Sequence, residues 1–374
     1  MRLLEPGGEI RLRIAAIGDV GVIGGARARA RREGFDGAFA AMTPSFRSAD
    51  LVFANLEFPV AEPGWVRPGR SGEFWHDRET VEALARAGVG LVSLANNHMM
   101  DCGPRGLERT LAACESAGVG TIGAGASLEA ACRPAIREVR GLRVVALAYA
   151  AAGEDGARER APGVAPLDPR IVERDLKRWR AEADLLLVSV HWGSMYVDFP
   201  PRRVLEVSRL LAREADLILG HHPHVTQGVR RKARRLTLFS LGDACFNRSA
   251  GDFEWAAAAH TRRESGVFEI LWAHEPGVEY HALTLDEDGI PFMPDPERAE
   301  AQAARLRRLS GGLEDADTRF DQECAPRLLR YELDSLGHYL RQGRVDRVIR
   351  LLGGVRPRHL RTLWQALRNF RSTA

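Results

Sequence analysis

The sequence predicts an α/β fold, and three observations carry the prediction. Short apolar runs rich in Val, Ile, Leu and Phe read as buried strands. Several segments between them place apolar residues at three-to-four spacing and read as helices laid on a sheet. Six of the apolar runs end in a block holding Asp, Glu, Asn or His, the position where ligands collect in open α/β sheets, beyond the carboxyl ends of the strands.

In chain order, RLRIAAI (11–17) leads into Gly18-Asp19, and LVFA (51–54) into Asn55-Leu56-Glu57. A helical segment, RETVEALARAG (78–88), precedes VGLVSLA (89–95), which ends in Asn96-Asn97-His98. Two more helical segments, 103–118 and 171–183, lead to DLLLVSV (184–190) and His191-Trp192-Gly193. The helix expected over 201–215 is followed by DLILG (216–220) with His221-His222-Pro223-His224, then by LTLF (236–239) with Ser240-Leu241-Gly242-Asp243. SGVFEILW (265–272) and VEYHALTLDEDG (278–289) follow one another without a helix, which predicts an antiparallel portion and so a mixed sheet. Three prolines within 291–296 end the sheet region. A boundary is therefore expected at residue 294, dividing a catalytic domain, 1–294, from a helical basic tail, 295–374.

Composition narrows the function classes. A chain of 374 residues with 45% hydrophobic content can bury a full core. Its 53 basic and 50 acidic residues leave a net charge of only +3, which gives no case for a nucleic-acid partner. The five cysteines are scattered and form no C-x-x-C, against both a disulfide framework and a thiolate metal site. Apolar runs stop well short of the roughly 20 residues that span a bilayer, and the first residues do not read as a signal peptide. The expected compartment is the cytoplasm.

The tail carries Leu328, Leu329, Leu333, Leu336, Tyr339 and Leu340 as one helical stripe. From Arg341 onward nine arginines face a single acid, Asp346, interleaved with Leu360, Leu363, Trp364, Leu367 and Phe370. Two readings stand side by side: a packed amphipathic helix with a solvated basic face, and an element lying on an anionic membrane surface, at the inner face, or against an acidic partner such as a synthase complex.

The polar blocks have the chemistry of a metal centre. In an extended chain His222 and His224 share one face, with Pro223 stiffening their spacing, and neutral imidazole ligates transition metals. His221 reads equally as a ligand or as an outer support. Asn97 offers a carbonyl oxygen, and His98 beside it, held by the Asp101 carboxylate, suits a proton donor to a leaving group. Asp19 and Glu57 are the acids standing at strand ends, and His191 joins them from another strand end. The glycines at 18, 21, 24 and 25 read as a loop that lets backbone approach an anion. No dinucleotide fingerprint, Walker loop, H-E-x-x-H or G-x-S-x-G is present.

With these residues in view, the chain resembles the poly-γ-glutamate capsule-biosynthesis (CapA-like) family, a branch of the calcineurin-like metallophosphoesterase superfamily. The matching pieces are GDV at 18–20, NLEFP at 55–59, SLANNHMMDCG at 93–103, HWG at 191–193, GHHPHVTQ at 220–227 and SLGD at 240–243. The resemblance covers about residues 11 to 285 and implies a four-layer α/β sandwich with mixed sheets, holding one or two divalent ions (Mn, Fe or Zn). It implies that Asp19, Glu57 and His224 hold one ion and Asn97, His191 and His222 the other, with His98 next to the leaving group. Three departures stand out: Gly21 where the superfamily has a histidine, Ser194-Met195-Tyr196 where the family commonly continues with Glu-Tyr, and Asp243 where Asn is usual. The function implied is metal-dependent phosphoester hydrolysis on an anionic small molecule or polymer, linked to capsule or poly-γ-glutamate synthesis. The alternative is a non-hydrolytic polymer-binding component of a synthesis and export complex.

Overall fold

The structure, a computed structural model, describes residues 1–68, 70, 74–151, 153–247 and 263–341. Two sheets form its frame. The larger has nine strands, and its central run places Asp243–Phe246, Leu12–Gly21, Leu51–Leu56, Leu91–Ser93 and Gly120–Ile122 side by side in parallel. The expected antiparallel portion is the hairpin Glu264–Trp272 with Gly277–Leu285, which completes the sheet beside Leu12–Gly21. The second sheet has six strands, with Leu142–Ala150, Leu185–His191, Leu217–His221 and Arg235–Leu238 parallel to one another and an antiparallel strand at each edge.

Side-chain alternation shows how these layers stack. In the second sheet Val144, Ala146, Leu185, Leu187, Leu217 and Leu219 belong to the core shared with the first sheet. Their neighbours Val145, Leu147, Leu186, Val188 and Ile218 belong to a separate core on the opposite face. Successive strand residues point to opposite faces, so both faces of this sheet are covered and its strands read as unbroken apolar runs. Helices Pro169–Arg180 and Arg202–Leu211 cover the outer face through Val172, Leu176, Val204, Leu205 and Leu211. Helices Gly24–Glu33, Arg78–Ala87 and Gly103–Ser116 contribute Ala26, Val81, Leu84 and Leu107 to the core of the first sheet. The result is the four-layer α/β sandwich with mixed sheets.

The prolines near 294 end the sheet and start a helix, since Pro296 stands in its first turn and the Asp295 side chain accepts from the Arg298 amide. This helix, Pro296–Gly311, is joined to the sheets: Ala303 and Leu306 enter the shared core, and Gln302 bonds to the Tyr280 hydroxyl. Its Arg305, almost fully buried, pairs with Asp198 and Glu264. The later helix Ala325–Arg341 packs through Leu328, while Leu333 and Leu340 of the expected stripe are exposed. The Tyr339 side chain and the basic segment 342–374 lie outside the described residues. Among those described, no helix is long and apolar enough to cross a membrane.

Candidate metal centre

Strand register builds the site. Asp19 stands opposite Asn55 on one side and Asp243 on the other, and Asn55 stands opposite Ser93, just before the Asn96-Asn97-His98 turn. In the second sheet His191 stands opposite His221. Carboxyl ends from both sheets therefore face one another, joined by His221 Nδ1 to Asp19 Oδ1 at 3.1 Å.

Backbone packing at two glycines makes the approach possible. A Cβ on Gly18 would lie 1.8 Å from the Gly242 carbonyl oxygen, the acceptor for the Asp19 amide at 2.9 Å. A Cβ on Gly21 would lie 2.6 Å from the Phe246 ring. The expected anion loop is therefore corrected: Gly18 and Gly21 lie in the strand Leu12–Gly21, where glycine is required by close packing.

One group of donor atoms converges on His191 Nε2. Asn97 Oδ1 lies 2.7 Å away, His222 Nδ1 3.1 Å and Glu57 Oε1 3.5 Å. Asn55 Nδ2 bridges the acids, donating to Asp19 Oδ1 at 2.9 Å and to Glu57 Oε2 at 2.6 Å. A second group joins His224 Nδ1 to Asp243 Oδ1 at 2.8 Å and to Asp19 Oδ2 at 3.6 Å. Among the described residues, Asp19 is common to the two sets of buried carboxylate and imidazole atoms close enough to hold an ion. The geometry thus places Glu57 with His191, Asn97 and His222, and His224 with Asp243, a different grouping from the one the resemblance implies.

His222 and His224 come together by another route than an extended chain. Their φ angles are +96° and +56°, left-handed values that non-glycine residues rarely adopt. Each histidine turns to its own group, His222 to His191 and His224 to Asp243. Asp19 Oδ2 accepts the His222 amide at 3.0 Å and so anchors the turn. Strain of this kind persists where the surroundings over-determine it, characteristically at functional sites.

At the solvent side, Asn97, His98 and His222 are half-buried, whereas Asp19, Glu57, His191, His224 and Asp243 are buried. His98 Nδ1 lies 2.7 Å from Asp101 Oδ2. The carboxylate only accepts, so Nδ1 carries the hydrogen and Nε2 is the free nitrogen. Asn96 Oδ1 accepts the amides of His98 and Met99 at 3.0 and 2.8 Å, fixing the turn, and Phe58 packs on the His98 ring at 4.8 Å between centroids.

The donor set fits a bound cation. Among the described residues, no arginine or lysine pairs with Asp19 or Glu57, although both are fully buried. Glu57 Oε1, Asn55 Oδ1, His191 Nδ1 and His221 Nε2 are buried without a hydrogen-bond partner. Isolated buried carboxylates are costly, and such groups are paired or hold metals. Donors sharing one ion at about 2.1 Å stand roughly 3.0 to 3.4 Å apart, close to the spacing about His191 Nε2. Burial pushes the Glu57 carboxyl well above the usual range, and the charges of Asp19 and Asp243 push it further. Burial also pushes Asp19 up, but the hydrogen bond and charge of His221, with the charge of His224, outweigh it and hold that carboxyl well below its usual range. Burial, then His222, holds His191 well below the usual imidazole range, and enclosure with the charge of His224 pushes His222 down to about 3. Both imidazoles are therefore neutral, the form that ligates.

Residues 13–248 match the model of the family described as bacterial capsule synthesis protein PGA_cap. The chain belongs to this family. It is similar to the capsule biosynthesis protein CapA of Bacillus anthracis, 29% identical over 247 residues that make up 63% of this chain and 60% of the relative. The PGA biosynthesis protein CapA of Bacillus subtilis (strain 168) is 30% identical over 221 residues, 58% of each chain. The chain thus spans less than two thirds of the length of these relatives. Among solved structures, a hypothetical protein from Thermus thermophilus aligns with a TM-score of 0.46 and 21% identity, covering 72% of this chain and 98% of that one.

The family match ends just after the block that contains Asp243, the donor that sequence reasoning passed over. Its signal was present, since it closes the same kind of apolar run as Asp19. Asn55 was quoted only as part of a block and proves to tie the two acids together. His76, also unremarked in the sequence, is buried nearby and has a different character: its Nε2 accepts the Val22 amide at 3.2 Å and its Nδ1 lies 2.9 Å from the Phe58 carbonyl.

Proposed function

We propose that this chain is a metal-dependent hydrolase of the phosphoester class, acting in capsule or poly-γ-glutamate biosynthesis on an anionic small molecule or polymer. The observation that carries the reading is the set of lone-pair atoms gathered on His191 Nε2. Three donor-type atoms face that one nitrogen, Asn97 Oδ1 at 2.7 Å, His222 Nδ1 at 3.1 Å and Glu57 Oε1 at 3.5 Å, and with a single hydrogen or a single lone pair it can satisfy only one of them at a time.

Asp19, Glu57, Asn97, His191, His222 and His224 would hold one or two divalent ions (Mn, Fe or Zn), with Asp243 as a further donor. Mixed nitrogen and oxygen ligands without thiolate suit these ions. Bound there, they would supply Lewis-acid neutralisation of the phosphoryl oxygens and a water of lowered pKa.

The chain's own residues do the remaining work. Asn55 holds the two acids in register through one amide nitrogen. The His222 turn is kept in its left-handed form by Asp19. Asp101 fixes the His98 ring through Nδ1–H, so that a proton on Nε2 can pass to the departing oxygen and the imidazolium formed beforehand is stabilised.

Two esters test the reading: a nitrophenyl phosphoester, whose leaving group departs readily as an anion, and an alkyl phosphoester, whose leaving group needs a proton. The metal-loaded protein should hydrolyse at least the first. His98→Ala should keep its metal and lose about 10²- to 10⁴-fold on the alkyl ester, with a smaller loss on the nitrophenyl ester. A protein that retains metal and hydrolyses neither ester would instead fit a non-hydrolytic polymer-binding component.

A further inference from the structure

The acid histidine stands at the end of a row of alternating charges that extends well beyond Asp101. Asp101 is buried, with 3% of its side chain exposed. One of its oxygens takes His98 Nδ1 at 2.7 Å, and the other faces Arg70 Nε at 3.4 Å, an ion-pair distance. Arg70 Nη2 in turn grips both oxygens of Asp155, at 2.7 and 2.5 Å. Arg67 Nη2 reaches the same carboxylate at 2.6 Å, while the Arg67 amide donates to the Asp101 carbonyl at 2.8 Å. Arg70 has 18% of its side chain exposed and Asp155 only 6%.

We infer that Arg70, anchored by Asp155, is the positioning residue for His98. The physical case begins with Asp101, whose carboxylate can rotate about its own bonds unless both oxygens are engaged. His98 fixes one oxygen. The other makes no hydrogen bond and faces Arg70 Nε at ion-pair distance, so it is held electrostatically by a guanidinium whose far end is clamped on the buried Asp155. The ring plane of His98, and with it the direction of Nε2, is thereby set from a loop far away in sequence. Outer partners of this kind are generally worth about 10- to 100-fold in activity.

The inference rests on the role proposed for His98, and its test separates the two. Arg70→Gln removes the charge and ends the side chain at the Nε position, so the clamp on Asp155 is lost. Metal content and KM should stay within about twofold, while kcat on the alkyl phosphoester falls about 10- to 100-fold and kcat on the nitrophenyl ester falls less. In a His98→Ala background the same change should cost nothing further, and Arg70→Lys should recover part of the rate. A reading independent of activity comes from the metal-free protein by NMR. The His98 Nδ1 proton, identified by its loss in His98→Ala, should be visible in the native chain and exchange-broadened in Arg70→Gln. Equal losses on both esters, an additive loss in the His98→Ala background, or an unchanged Nδ1 resonance would overturn the inference. If Arg70→Gln does not fold, Arg70→Lys carries the same comparisons with smaller effects. If the native protein hydrolyses neither ester, the phosphoesterase reading fails, and the resonance alone decides whether Arg70 positions His98.

Discussion

His76 and His191 are both buried histidines held neutral, yet they do opposite things in the fold. Burial pushes His76 down to about 3, and both of its nitrogens are matched, one to the Val22 amide and the other to the Phe58 carbonyl. Burial also holds His191 well below the usual range, but its Nδ1 has no hydrogen-bond partner and its Nε2 faces a carboxylate, an amide oxygen and another imidazole. A depressed pKa records enclosure in both cases and distinguishes neither. What separates a structural histidine from a candidate ligand here is whether its lone pairs and protons are balanced by its neighbours.

That contrast can be broken by substitution, beginning with the largest effect. His191→Ala should strip the bound metal and lower hydrolysis by more than about 100-fold, because it removes the atom on which the donor group converges. Elemental analysis beside a rate measurement reads both. His76→Phe should retain the metal and instead lose about 3 kcal/mol of stability in a denaturant titration, since it leaves two buried backbone groups unpaired. Metal loss in His76→Phe as complete as in His191→Ala would erase the distinction.

Asp243→Asn gives a smaller change. It keeps the volume and removes one charge from the group with His224 and Asp19, so divalent affinity should weaken by about tenfold, as read by calorimetry, with the fold intact. An unchanged affinity would remove Asp243 from the donor set.

The pH dependence sharpens the same comparison in the metal-free protein. His76 and His222 have folded values of about 3, and an unfolded histidine titrates at about 6.5. Between those values the unfolded chain binds more protons, so stability falls as the pH is lowered from about 6.5 toward 3 and is flat in this respect above 6.5. Glu57 has the opposite sign: its raised carboxyl keeps a proton that the unfolded chain releases above about 4.5, so its contribution declines as the pH rises past that value. His76→Phe should flatten part of the acid limb. Because the Glu57 carboxyl is held above its usual range, metal binding there should release protons, more of them as the pH is lowered, visible as a buffer-dependent heat.

Much of this was legible in the sequence because strand ends are local. An apolar run closed by Asp19, Asn97, His191 or the His221–His224 block announces both the strand and the polar residue beyond it, and the order of the runs gives an α/β fold with a mixed sheet, while the four-layer sandwich followed from the family resemblance. The pairing of donors was not legible. It depends on register between strands far apart in sequence, such as Asp19 opposite Asp243, and on a left-handed turn at His222 and His224 that no residue type there announces. Arg70 and Asp155 escaped for a related reason, since a charged residue in a loop reads as solvated until the fold buries its partner.

Metal stoichiometry decides whether the buried donors around His191 hold an ion. The chelator-stripped protein is loaded with Mn²⁺ or Zn²⁺, passed through a desalting column and assayed by elemental analysis, alongside His76→Phe and His191→Ala treated in the same way. One or two ions per chain should be retained by the native protein and by His76→Phe, and bound metal should be lost in His191→Ala. A native protein that retains none, or a His191→Ala protein that retains as much as the native one, would contradict a metal site at these donors.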